Sequence, residues 1–122
     1  MNLKGMERLI FSKAFYDVND FEKTIEFFKN LEKDSRFSSH ILDRENKKFS
    51  GSFIRAYPKD HWNPLSRISR AMQAVGEAYI EEGILKISTM TKSALIEIRK
   101  ILEDSLKDDI VFQKEEFKDP LK

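Results

Sequence analysis

Arg55, Lys59, Trp62, Arg67 and Arg70 are the residues of this chain whose types and spacing best support chemistry, and that chemistry is anion binding. Guanidinium groups pair bidentately with phosphate or carboxylate. Asn63-Pro64 signals a helix start, whose positive dipole end adds to the attraction. Arg67 and Arg70 stand one turn apart, away from the Leu65/Met72 side. They either grip one anion together or form the solvated face of the helix. Trp62, in a polar loop, either staples the helix start against the core or serves as an exposed stacking anchor.

These five belong to a longer basic stretch. From Arg44 to Arg70 there are seven basic side chains (Arg44, Lys47, Lys48, Arg55, Lys59, Arg67 and Arg70) against Glu45 and Asp60. The net charge of the whole chain is +1, so the other 95 residues carry −4. Localised charge acts on partners and association rates rather than on the fold. The expected function is therefore a small non-enzymatic binding or regulatory protein that meets an acidic protein surface or anionic ligand through residues 44–70. The alternative is a nucleic-acid-binding domain that uses the same bases with Trp62 and Tyr57 as stacking rings. Residues 48–57 do not match the ring-bearing signature of the RNA-recognition motif, because Gly51 stands one residue too far from Phe53. Phe49, Phe53 and Tyr57 are expected in the core instead.

Enzymatic chemistry would rest on His40 and His61. His40 and Asp43 are spaced i, i+3, and Asp60-His61 lies in a loop, but histidines 21 residues apart match no standard ligand spacing. The chain has no cysteine, which removes thiolate ligands, thiol nucleophiles and disulfides. No phosphate-loop, zinc-protease or nucleophile-elbow motif occurs. No enzyme activity, cofactor or metal is expected.

The elements that must position these residues follow from periodicity. Residues 7–16, rich in Leu, Ile, Phe and Tyr, read as a first strand. Asn19, with Glu22 three residues on, reads as the cap of a helix over about 20–33 whose apolar face is Phe21, Ile25, Phe28 and Leu31. Residues 34–39 turn, 40–43 form a weak strand, 44–47 turn again, and 49–57 form a better strand with Phe49, Gly51, Phe53, Arg55 and Tyr57 on one side. Gly51 hints at a bulge or at close approach of another backbone. After Pro58, Leu65, Ile68, Met72, Val75 and Tyr79 predict a second helix closed by Gly83, with Gly76 marking a close contact. Residues 84–90 read as a strand, and Thr91 as the cap of a third helix with the seam Leu95, Ile98, Leu102 and Leu106. Residues 110–117 read as a last strand.

The predicted order is βαββαβαβ in an α+β fold. It reads as a ferredoxin-like core with an added helix and strand, its antiparallel or mixed sheet covered by helices on one face. A chain of 122 residues suits one domain, with frayed ends at about 1–5 and 118–122. The first thirteen residues, broken by Lys4, Glu7, Arg8 and Lys13, lack the apolar run of a signal peptide, and no window approaches a membrane span. A cytoplasmic location without membrane contact is expected. Surplus apolar residues on the third helix, and the seven acids against four bases over 103–122, predict a homo-oligomer. Lys114, Glu115 and Glu116 would then guard the last strand against open-ended pairing.

Overall fold

A computed structural model of the chain describes residues 8–54 and 74–121. Eight residues, Phe11–Val18, form β1, and Phe21–Lys33 form α1. Asp20 caps α1, its carboxylate accepting a hydrogen bond from the Lys23 amide at 3.0 Å. The expected cap, Asn19, instead donates from Nδ2 to the Asp108 carbonyl at 2.9 Å, and Glu22 pairs with Arg44. The reason is local: the carboxylate one residue later sits three residues before a free amide, the geometry a cap requires.

β2 (Phe37–Asp43) and β3 (Lys48–Ile54) form a hairpin whose four-residue turn is held by Asp43, which accepts from the Asn46 amide and side chain. Phe49, Gly51 and Phe53 point into the core, as the alternation predicts. A Cβ on Gly51 would meet the Phe37 ring and stand 2.7 Å from the Ser38 carbonyl oxygen, so this strand needs glycine there. The pairing register of β2 shifts between Ser39 and Ile41, leaving His40 as the extra residue.

Residues 74–81 overturn one expectation. In place of the end of a second helix, Ala74–Glu81 form β4, which pairs with β3 and with β5 (Ile84–Thr89). The helical reading counted Val75 and Tyr79, but the alternation of Gly76, Ala78 and Ile80 with Glu77, Tyr79 and Glu81 is the period that decides burial. Gly83 does not end a helix. With Glu82 it makes a two-residue hairpin turn in which both residues have positive φ, 53° and 77°, matching strand twist. Gly76 is indeed a close contact, since a Cβ there would lie 2.8 Å from Cδ1 of Ile98. The remainder of the expected second helix lies outside the described residues.

Lys92–Leu106 form α2, capped by the Thr91 hydroxyl, which accepts from the Ala94 amide. Ala94, Leu95, Ile98, Leu102 and Leu106 are buried, as the predicted seam requires. A short 3₁₀ turn, Lys107–Asp109, leads to β6 (Ile110–Lys118). The described fold is thus α+β, with one six-stranded sheet in the order β2-β3-β4-β5-β1-β6 and every pairing antiparallel. The ferredoxin-like order, which sets the first strand beside the third, is not seen among the described strands, where β3 lies between β2 and β4. Here β1 lies antiparallel between β5 and β6, and the meander β2 to β5 runs without interruption in sheet order.

Both described helices pack on the same sheet face, where Ala14, Tyr16, Ile25, Phe28, Phe37, Phe49, Ile87 and Leu102 belong to one buried cluster. Among the described residues no helix is long and apolar enough to cross a membrane.

Candidate functional site

Arg55, Lys59, Trp62, Arg67 and Arg70 lie outside the described residues, as do Tyr57 and His61. The described part of the basic stretch is largely neutralised. Arg44 pairs with Glu22 at 3.1 Å and Lys48 with Glu81 at 3.5 Å, both in exposed settings. The enzymatic elements are also separated. His40 Nε2 shares a hydrogen bond with the Ser52 hydroxyl at 2.9 Å, while the Asp43 carboxylate is occupied by Asn46. The Asn46 hydrogen bonds also hold the Asp43 carboxyl below its usual range. Among the described residues no group of three or more His, Asp or Glu side chains could hold a metal ion.

The sheet face away from the helices carries a different set of residues. Strand alternation sends Phe11, Lys13, Phe15 and Asp17 of β1 to this face, because Ser12, Ala14 and Tyr16 are buried on the other. The antiparallel registers then align one residue from each strand in a row: Ile41, Ser50, Tyr79, Lys86, Phe15 and Lys114. At the usual strand spacing the part from Ser50 to Lys114 spans about 19 Å. Its last four residues alternate ring and cation. Lys86 Nζ lies 4.9 Å from the centre of the Tyr79 ring, and Lys114 Nζ lies 5.0 Å from the centre of the Phe15 ring. Each ammonium is held by a ring quadrupole, a contact worth about 0.5–1 kcal/mol at an exposed site.

Electrostatics around the row leave cationic capacity. No described carboxylate stands within ion-pair distance of Lys86 or Lys13, whereas Lys114 bridges Glu116 at 3.3 Å. Glu77 on β4 accepts a hydrogen bond from the Tyr79 hydroxyl, which raises the Tyr79 phenol above its usual range. Tyr79 is 39% exposed and Phe15 is half-buried. Among the described residues no helix covers this face. An alternating row of rings and lysines can take up carboxylates or phosphates, and its rings can support a planar group.

Sequence reasoning missed this row because it sought exposed rings only at Tyr57 and Trp62. Phe49 and Phe53 are buried against Phe28 and Phe37, as expected. The one available signal was the alternation Lys13-Ala14-Phe15-Tyr16, in which two neighbouring rings must fall on opposite faces.

A second polar group sits on the covered face, between α2 and the β1–β6 pair. Tyr16 donates from its hydroxyl to Glu103 at 2.7 Å and accepts from Arg99 Nε at 3.1 Å. Arg99 also donates to Glu103 at 2.8 Å and to Glu115 on β6, and its guanidinium lies 3.9 Å from the centre of the Phe112 ring. Burial and the Glu103 hydrogen bond hold the Tyr16 phenol well above its usual range. Burial opposes ionisation of Glu103, but hydrogen bonds from Arg99 and Tyr16 outweigh it and hold that carboxyl low. The Tyr16 hydroxyl, the Arg99 guanidinium and the Glu103 carboxylate bond one another, so the cluster fastens α2 to the sheet edge.

No protein-family model, curated protein or solved structure matches this chain.

Proposed function

We propose that the protein is a small non-enzymatic binding protein that recognises an acidic partner surface or anionic ligand and associates with itself. The single observation that supports it best is the row Tyr79, Lys86, Phe15 and Lys114, which no described helix covers and in which Lys86 has no described carboxylate partner. The basic segment 44–70 contributes the remaining charge. Arg44 and Lys48 are already paired, so its contribution falls to Arg55, Lys59, Arg67 and Arg70 with Trp62. Attraction of this kind acts first on encounter rate and weakens with added salt.

A second reading, nucleic-acid binding, draws support from the two rings in the same row, because a sheet that presents aromatics beside lysines can stack bases. Fluorescence anisotropy with a labelled polyglutamate peptide and a labelled single-stranded oligonucleotide separates the two. The preferred reading expects the peptide to bind at low salt, with an affinity at least equal to that for the oligonucleotide. A preference for the oligonucleotide, with affinity falling steeply as salt rises in proportion to the phosphates contacted, would favour the second. Binding of neither probe at low salt contradicts both.

A further inference from the structure

Self-association is part of the reading above, and we infer that its interface is β6, joined to β6 of a second copy about a two-fold axis near Glu115. β6 is the longest described strand, nine residues, and among the described strands it pairs only with β1. Its outer row of amides and carbonyls, interrupted by the register shift at Gln113, is a template for another strand.

Apolar side chains concentrate at this edge. Phe117 is 48% exposed and Phe112 40%, both on the helix side of β6. On α2, Lys92 reaches over the Phe117 ring and Arg99 over the Phe112 ring. Ile96 lies between them on the same helix stripe and is 68% exposed, the greatest exposure of any large apolar residue within a described helix or strand. Stranded apolar surface of this kind fits a subunit contact. On the opposite edge, β2, Ser38 and Ser39 are half-buried, His40 is exposed, and Ile41 is the one large exposed apolar residue.

Charge supplies the register. Lys114 and Glu116 lie on the same side of β6, two residues apart. With the axis at Glu115, antiparallel pairing sets each Lys114 directly opposite Glu116 of the second copy, and opposite charges so placed stabilise a strand pair. The two Glu115 carboxylates that approach at the axis each arrive with an Arg99 partner from their own chain. The contact is isologous and closes on itself, which limits assembly to a dimer. It would also run the two rows of rings and lysines end to end across the axis, so that an extended anion could engage both.

Sedimentation velocity on the full chain tests this. The wild type should be a dimer. Ile96→Asp should make it a monomer that still binds polyglutamate. Lys114→Glu and Glu116→Lys should each weaken dimerisation at least tenfold, and the Lys114→Glu/Glu116→Lys double swap should restore it, with circular dichroism checking the fold of each variant. A wild type that is monomeric at all concentrations overturns self-association itself. A dimer that all these substitutions leave intact, or single swaps that the double swap does not rescue, overturns the β6 interface alone.

Discussion

The two faces of the sheet use aromatic residues in opposite ways. On the covered face Phe28 of α1 lies 4.8 Å from Phe37, 5.0 Å from Phe49 and 5.8 Å from Phe53, centre to centre, so each ring is packed by other rings. On the open face Phe15 and Tyr79 are separated by Lys86, and the contact each makes is to an ammonium group. The two arrangements come from different strands of one sheet, with β2 and β3 supplying rings to the covered cluster and β1 and β4 supplying those of the open face. A ring among rings loses its water to neighbours of the same chain and contributes to stability. A ring among lysines stays partly wet and keeps its face available. The neighbours of an aromatic residue, more than its presence, decide whether it holds the fold or meets a partner.

The covered face itself divides. Beneath α1 it is a phenylalanine cluster, and beneath α2 it ends in the hydrogen-bonded group of Tyr16, Arg99, Glu103 and Glu115. The second arrangement reaches the sheet edge, where phenylalanine alone would be left half exposed. Arg99 solves this by covering Phe112 with its flat guanidinium while neutralising the inward Glu115.

Substitutions on the covered face should change stability and leave anion affinity untouched. Phe28→Ala should have the largest effect, about 3–5 kcal/mol by urea unfolding, because it empties the centre of the ring cluster. Gly51→Ala should follow at about 1–3 kcal/mol, since its Cβ must displace the Phe37 ring and approach the Ser38 carbonyl. Tyr16→Phe should cost about 1 kcal/mol, the worth of one buried hydrogen-bonded hydroxyl. Its pH dependence is more telling than its size. Because the folded protein raises the phenol above its ordinary value of 10.0, this contribution is intact below pH 10 and is lost as the pH rises beyond it. Glu103 acts in the other direction. Its lowered carboxyl stabilises the fold above its ordinary value of 4.5 and ceases to do so as the pH falls below that. Thermal unfolding across pH should therefore show an alkaline loss that is larger in the wild type than in Tyr16→Phe.

Substitutions on the open face should leave stability nearly unchanged. Tyr79→Ala should shift stability by no more than about 0.5 kcal/mol. If the nucleic-acid reading holds, the same change should weaken oligonucleotide binding by about 1–3 kcal/mol, the usual worth of one stacked base. Under the preferred reading it should barely alter polyglutamate affinity.

Much of this arrangement was legible in the residues. α1 and α2 followed from apolar spacing, the cap of α2 from Thr91, and the inward set Phe49, Gly51 and Phe53 from strand alternation. β4 did not, because Val75 and Tyr79 satisfy a helical repeat as well as a strand one, and the choice depends on β3 and β5 lying to either side. The strand order was equally hidden, since pairing of β1 with β5 joins residues some seventy positions apart. The row on the open face became visible only with that pairing. No local signal links Tyr79, Lys86, Phe15 and Lys114, which come from four strands and meet through register alone.

The most direct test of the central claim is the affinity of labelled polyglutamate for the wild type and for Lys86→Glu at low salt, with unfolding free energy measured alongside. Lys86→Glu should weaken binding about tenfold or more, equivalent to about 1.4 kcal/mol, while stability stays within about 0.5 kcal/mol of the wild type. Equal affinity in the two proteins would contradict the assignment of the open face as the binding surface.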